Sequence, residues 1–386
     1  MTKRIYLDHA ATTAVAPEAL EAMKPYFSEK FGNASSLHEF GQEAKTALEN
    51  ARNSVAKSIG ARPAEIIFTS GGTESDNLAI KGVAFANKSR GNHIITSKIE
   101  HPAILEPCRW LEKNGFKVTY LGVDAEGFVN PADVEKAITK ETILVSIMHA
   151  NNEIGTIQNI EEIGRICRKR RIYFHTDAVQ SFGKLSIDVR KMNIDLLSAS
   201  SHKIYGPKGV GLLYVGQDVK IEQVQHGGGH EHGLRSGTEN VAGIMGFTKA
   251  IELANKNMKS ENERETKLRK KIINEILQIK GAHLTGNPEK RLPGNASFYF
   301  EGIEGESLLI RLSEKGIAVS TGSACSSHSL EPSHVLSAIG LKPEQAHGSL
   351  RITLGKDTTE QDMDYAAEQI KNIINSLRKI SPFNKW

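Results

Sequence analysis

The chain has 386 residues, 39% of them hydrophobic and 6% aromatic, with 34 glycines, a balance that suits a mixed α/β protein of two or three domains with many close turns. Its 49 Lys and Arg against 45 Asp and Glu leave a net charge of +4, too even to argue for a polyanion, so no nucleic-acid role is expected. Three scattered cysteines, Cys108, Cys167 and Cys325, exclude a disulfide scaffold and zinc-ribbon spacing.

The odd count fits a reducing compartment and leaves room for one reactive thiol. The first residues hold no apolar signal core, and no run reaches the ~18 apolar residues of a membrane span. A cytoplasmic protein is expected.

Strands are predicted at residues 65–69, 93–97, 117–123, 142–148, 172–175, 196–199 and 210–215, rich in Ile, Val, Phe and Tyr and bounded by turns. Helical patterns fall between several of them, at 73–87, 131–138 and 160–170. The alternation predicts a mostly parallel central sheet covered on both faces, with ligands outside the carboxyl ends of the strands. The basic run Arg168-Lys169-Arg170-Arg171 reads as a solvated helix end. Ser260 and Glu263 form a capping-box pattern that predicts the start of a long charged helix, whose apolar stripe is Leu268, Ile272, Ile273, Ile276 and Leu277. Strands at 296–300, 317–320 and 350–354 and a helix at 359–380 complete a smaller α+β unit.

Four loops at predicted strand ends carry candidate chemistry. Thr69-Ser70-Gly71-Gly72-Thr73-Glu74 opens a helix with small residues; it suits a phosphate or is a plain turn capped by Thr73. Asp177 follows a buried-looking strand, where a carboxylate holds a proton on a pyridine-type nitrogen, binds a metal, or caps a helix. Lys203 follows Ser200, Ser201 and His202, a setting in which a lysine of lowered pKa forms a Schiff base. Phosphate cradle, carboxylate and lysine together are the supports of pyridoxal phosphate. The fourth loop, Ser320-Thr321-Gly322-Ser323-Ala324-Cys325-Ser326-Ser327, puts a thiol in polar, small-residue surroundings that favour reactivity, whereas Cys108 and Cys167 sit in apolar helical patterns and read as core. His226, His230 and His232 lie in a glycine run better suited to a loop near a ligand than to a metal site.

Together these residues resemble the cysteine desulfurases of the NifS/IscS type, within the class V aminotransferases. The similarity runs from Tyr6-Leu7-Asp8-His9-Ala10-Ala11-Thr12-Thr13 to Leu350-Arg351, through Glu100-His101, His149-Ala150-Asn151-Asn152, Arg235-Ser236-Gly237-Thr238 and Gly322-Ser323-Ala324-Cys325. The resemblance implies the aspartate aminotransferase-like fold, type I, with a large cofactor domain at 15–258. Residues 1–14 and 259–386 form the small domain, which bears a mobile cysteine loop.

It also implies roles. Lys203 holds pyridoxal 5'-phosphate. Gly72, Thr73, Ser200 and His202 bind its phosphate, with Thr238 reaching in from a second subunit of a homodimer. Asp177 partners the ring nitrogen, Gln180 the phenolic oxygen, and His101 stacks on the ring. Asn152 and Arg351 hold the carboxylate of L-cysteine, and Cys325 accepts its sulfur. Implied acceptors are iron–sulfur scaffold proteins of the IscU/NifU kind and carriers for tRNA or cofactor thiolation, and Cys325 is a candidate ligand of a transient [2Fe-2S] cluster shared with a scaffold. The chain departs from the family in a short tail after Leu377, where relatives dock the scaffold, and in His230, where relatives carry Gln. The Cys325 loop argues against a selenocysteine lyase or a plain aminotransferase. The full set Lys203, Asp177, His101, Arg351 and Cys325 argues against a non-catalytic platform.

Overall fold

The computed structural model describes residues 4–322 and 331–380. A two-residue strand, β1 (Ile5–Tyr6), comes first. Seven strands follow: β2 (Ile66–Thr69), β3 (His93–Ser97), β4 (Lys117–Leu121), β5 (Thr142–Ser146), β6 (Tyr173–Asp177), β7 (Leu196–Ser200) and β8 (Gly211–Val215). They form one sheet in the order β2-β8-β7-β6-β5-β3-β4. Only β8 runs against its neighbours, pairing antiparallel with β2 and β7. The others run parallel, as the alternation predicts.

The strands read as continuous apolar runs because both faces are covered. Along β2, Ile66 and Phe68 enter one apolar cluster and Ile67 the other, the period of two that the pleat imposes. Cys167 belongs to the first cluster and Cys108 to the second. Burial pushes the Cys108 thiol up to about 12 and the Cys167 thiol higher still, so both are inert packing groups. Arg168, Lys169, Arg170 and Arg171 are exposed at a helix C-terminus, where cations suit the helix dipole.

A third apolar cluster is built around β9 (Ala282–Leu284), β10 (Asn295–Phe300) and β12 (Ser349–Thr353), an antiparallel sheet ordered β12-β10-β9. The short β11 (Ile317–Ala318) pairs parallel with β1, bringing Ile5 and Leu7 into this cluster. The helix Glu360–Ile380 covers it.

The capping-box expectation at Ser260 is overturned. Val241–Leu277 is one helix of 37 residues. Its cap is Asn240, whose side chain accepts from the Gly243 amide at 3.0 Å. Ser260 lies mid-helix, its hydroxyl donating to the Asn257 carbonyl at 2.9 Å. No Gly or Pro interrupts residues 247–277, so nothing ends the helix there. The two ends serve different cores: Ile244, Phe247 and Ile251 pack on the large sheet, Leu268, Ile272 and Ile276 on the small one. Among the described residues no helix is long and apolar enough to cross a membrane.

Ser260→Ala should therefore change unfolding free energy by less than about 0.5 kcal/mol. Asn240→Ala should cost about 1 kcal/mol, the value of a lost cap. Urea unfolding of both variants checks this, and the opposite order would restore Ser260 as the cap.

Candidate functional site

Five loops at carboxyl ends of parallel strands face one region. After β2, a helix begins at Gly72 and runs through a π-helical stretch, Leu78–Gly82, to Ala86. Its first amides have no intrahelical partners, as in any first turn. A side chain on Gly72 would come within 2.6 Å of Val179 Cγ2, so glycine is required for the close approach of this turn to the loop after β6. The Thr73 cap reading does not hold, since the helix starts one residue earlier and its cap position is Gly71. Opposite Gly71 stands Ser200, buried at the end of β7, its Oγ 4.0 Å from where a Cβ on Gly71 would sit. That spacing leaves room for a small anion's oxygens.

Asp177 ends β6 and is 5% exposed. It accepts from the Val179 amide at 2.8 Å, a turn rather than a helix cap. Burial pushes its pKa up to about 6, against the pull of Lys203. Asp76, on the helix after Gly72, is pushed well above the carboxylate range by burial and then by Asp177. Its Oδ1 has no hydrogen-bond partner among the described residues and lies 3.7 Å from His175 Nε2. Two like charges so close in a dry site cannot both form, so Asp76 keeps the proton.

Lys203 Nζ donates to the carbonyls of Ala10 and Ala11, each at 2.6 Å. Gln180 Nε2 donates to the same Ala10 carbonyl at 3.0 Å. His202 Nδ1 meets Thr12 Oγ1 at 3.1 Å, and burial followed by Lys203 holds the ring down to about 4. His101 caps the helix Pro102–Glu112, its Nδ1 accepting from the Ala103 amide at 3.1 Å. A ring accepting there carries its proton on Nε2. Burial, then Lys203 and His334, hold this histidine neutral, near 4.

Arg351, on β12, is 4% exposed. Its Nη2 donates to Asp8 Oδ1 at 2.9 Å and its Nη1 to the Asn152 carbonyl at 3.1 Å, while Nε is buried without a partner among the described residues. A guanidinium with spare donor capacity suits a carboxylate. Thr238 is exposed and makes no hydrogen bond to these groups among the described residues; its loop is fixed by Arg235 Nε donating to Glu74 at 2.8 Å. The same loop is anchored by Glu231, which accepts from Arg52 at 2.7 and 2.9 Å. His230 Nδ1 accepts from the Gly237 amide at 3.2 Å. Among the described residues no group of three or more His, Cys, Asp or Glu side chains could hold a metal ion. Cys325 lies outside the described residues.

The structure thus gathers Lys203, Gln180 and His202 around the segment from Asp8 to Thr13, and Arg351 joins them through Asp8. The sequence reading quoted that segment as a motif but gave it no role. A run of small and hydroxyl residues straight after a two-residue strand was the available signal. It also missed Asp76, which stands in the polar run Thr73-Glu74-Ser75-Asp76-Asn77 and so gives no sign in sequence of its burial.

The chain belongs to the class V aminotransferases: the family model for Aminotransferase class-V matches residues 5–366. It is 57% identical over 386 residues to the cysteine desulfurase IscS of Dictyoglomus turgidum, covering 100% of this chain and 98% of that one. To the cysteine desulfurase IscS of Methanosarcina thermophila it is 54% identical over 380 residues, covering 98% and 94%. Among solved structures, a NifS-like protein superposes with a TM-score of 0.92 at 42% identity, covering 97% of this chain and 100% of that one. SspA in complex with cysteine superposes with a TM-score of 0.82 at 43% identity, covering 91% and 99%. The fold is therefore type I of the pyridoxal-phosphate enzymes, and dependence on that cofactor follows from the family. The Gly72 turn with Ser200, the buried Asp177 and Lys203 fit its phosphate, ring nitrogen and aldehyde in kind.

One buried acid offers a direct check on the site's electrostatics. Glu100 accepts from Ser97 Oγ at 2.6 Å and from the Met148 amide at 3.0 Å, yet burial pushes its pKa up to about 8. An acid raised on folding stabilises the fold fully below its unfolded pKa. That stability is lost as pH rises toward 8, at no more than about 1.4 kcal/mol per pH unit. Relative to Glu100→Gln, the wild type should lose stability from pH 5 to pH 8 in urea unfolding. Parallel curves for the two proteins would contradict the raised pKa.

Proposed function

We propose that the protein is a cysteine desulfurase, converting L-cysteine to L-alanine and passing the sulfur as a persulfide on Cys325 to acceptor proteins for iron–sulfur cluster assembly. What carries the reading is that Lys203 acts electrostatically on both His101 and Asp177, while residues 8–11 tie it to Arg351. The relatives named cysteine desulfurase and the cysteine-bound neighbour support the substrate.

Bound pyridoxal phosphate supplies an electron sink for the electrons released at the substrate carbon. The residues around it divide the remaining work. Gly72, Thr73, Ser200 and His202 hold the phosphate, and Thr238 of a second copy completes the cradle in a homodimer. Gln180 faces the phenolic oxygen. Asp177 carries the negative charge opposite the ring nitrogen and holds its proton, because Asp76 stays protonated. Lys203 would hold the cofactor's aldehyde carbon, and its amine, when free, would take the Cα proton of the substrate. The neutral His101, with its proton on Nε2, moves protons at the substrate. Arg351 and Asn152 hold the substrate carboxylate, the Arg351 Nε being a donor without a partner among the described residues. The Cys325 thiolate attacks the substrate sulfur. The C–S bond breaks, its electron pair goes to Cβ, Cβ takes a proton, and the proton taken from Cα is returned there, so the products are alanine and the Cys325 persulfide.

The acceptor is a scaffold protein of the IscU/NifU kind, with which Cys325 shares a transient [2Fe-2S] cluster as cargo. We divide the chain into a large cofactor domain, 15–258, and a small domain of 1–14 and 259–386; the separate apolar cluster of β9, β10 and β12 supports that division.

Cys325→Ala should lower sulfide release from L-cysteine, measured with a reductant, by at least about 10²-fold while leaving the visible band of bound cofactor intact. Full activity would remove Cys325 from the reaction. Arg351→Gln should raise the KM for L-cysteine by about 10-fold or more, the cost of a lost charged hydrogen bond. An unchanged KM would place the substrate carboxylate elsewhere.

A further inference from the structure

A cavity of about 250 Å³ lies behind Lys203, between the helix Val241–Leu277 and the loop after β6. Of the cofactor and substrate residues assigned above, only Lys203 lines it. The wall is part apolar, with Leu253, Ala254 and Met258, and part charged, with Lys184 and Glu265. Asn262 fixes the backbone at Lys184, its side chain donating to the Lys184 carbonyl at 2.7 Å.

Lys184 and Glu265 sense each other as opposite charges. Burial pulls the Lys184 pKa down and pushes that of Glu265 up to about 7. Yet among the described residues neither charged head makes a hydrogen bond, and no ion pair within 4.0 Å joins them. Of the other charges on the wall, Glu261 accepts from Arg264 at 2.8 Å, Lys356 lies over the Tyr205 ring, and Glu18 is exposed to solvent. A cation and a carboxylate that face one cavity, each half-buried and neither touching the other, have given up part of their water with no direct return. A molecule carrying a carboxylate and an ammonium a few bonds apart satisfies both at once. The volume lies below the ~300–1,000 Å³ of sites for drug-sized ligands, which restricts the occupant to a few heavy atoms.

We propose that this cavity is a second ligand site that binds a small α-amino acid as its zwitterion, carboxylate to Lys184, ammonium to Glu265, and a short side chain against Leu253, Ala254 and Met258. Because Lys203, Ile204 and Tyr205 share the wall, an occupant touches the backbone that carries the cofactor lysine.

The test uses N,N-dimethylglycine, a zwitterion whose tertiary amine cannot condense with the cofactor. Titrated calorimetrically into the holoenzyme, it should bind saturably, once per chain, and leave the visible spectrum unchanged. Lys184→Met and Glu265→Gln should each weaken binding at least about tenfold, as a lost charged contact does. Ala254→Leu narrows the cavity without touching either charge and should also weaken it, which decides the matter if a charge variant fails to fold. Absence of saturable heat, or equal binding by wild type and Ala254→Leu, would overturn the proposal and leave the cavity a hydrated joint.

Discussion

The site depends on one constraint: a carboxylate must be kept charged where little water reaches it. Asp177 sits at the end of a strand buried on both faces, and burial pushes its pKa toward 6. Lys203 opposes that push from in front. From behind, Asp76 takes up the proton that the pair must share. The charge is therefore borne by the residue that faces the site. The histidines around it, His101 and His202, are held neutral by the same dry surroundings and the same lysine. A single electrostatic field thus sets the protonation of four side chains that the chemistry needs in defined states.

The architecture supplies the dryness. Parallel strands covered on both sides end together, so their loops converge at one edge of the sheet. The segment from Asp8 to Thr13 then crosses this edge and links parts that are distant in sequence. Asp8 holds Arg351, Ala10 accepts from both Gln180 and Lys203, and Thr13 accepts from the Tyr205 amide at 2.8 Å. These bonds join the small apolar cluster to the large one at the point where substrate and cofactor would meet. The helix Val241–Leu277 makes the second connection, with one end in each core. The cavity bearing Lys184 and Glu265 lies along that helix, beside Lys203.

The large sheet was legible because doubly covered strands leave long apolar runs bounded by turns. Asp177, Ser200 and Lys203 were legible for the same reason, since each stands at or just past such a run. What stayed hidden depends on tertiary contact. Ser260 and Glu263 satisfy the local rule for a helix start, but the helix already runs through them from Asn240. The pairing of Asp8 with Arg351 spans nearly the whole chain and leaves no local trace. The raised pKa of Asp76 follows from burial and then from Asp177 on β6, neither of which helix periodicity can reveal.

The central claim is that these charges serve to move sulfur from L-cysteine to Cys325. It is tested most directly by incubating the holoenzyme with L-cysteine in the absence of reductant, then digesting it and weighing its cysteine peptides. The account predicts one added sulfur atom on the peptide bearing Cys325, with the peptides of Cys108 and Cys167 unchanged. Sulfur carried on either of those two, or alanine formed with no added sulfur on Cys325, would contradict it.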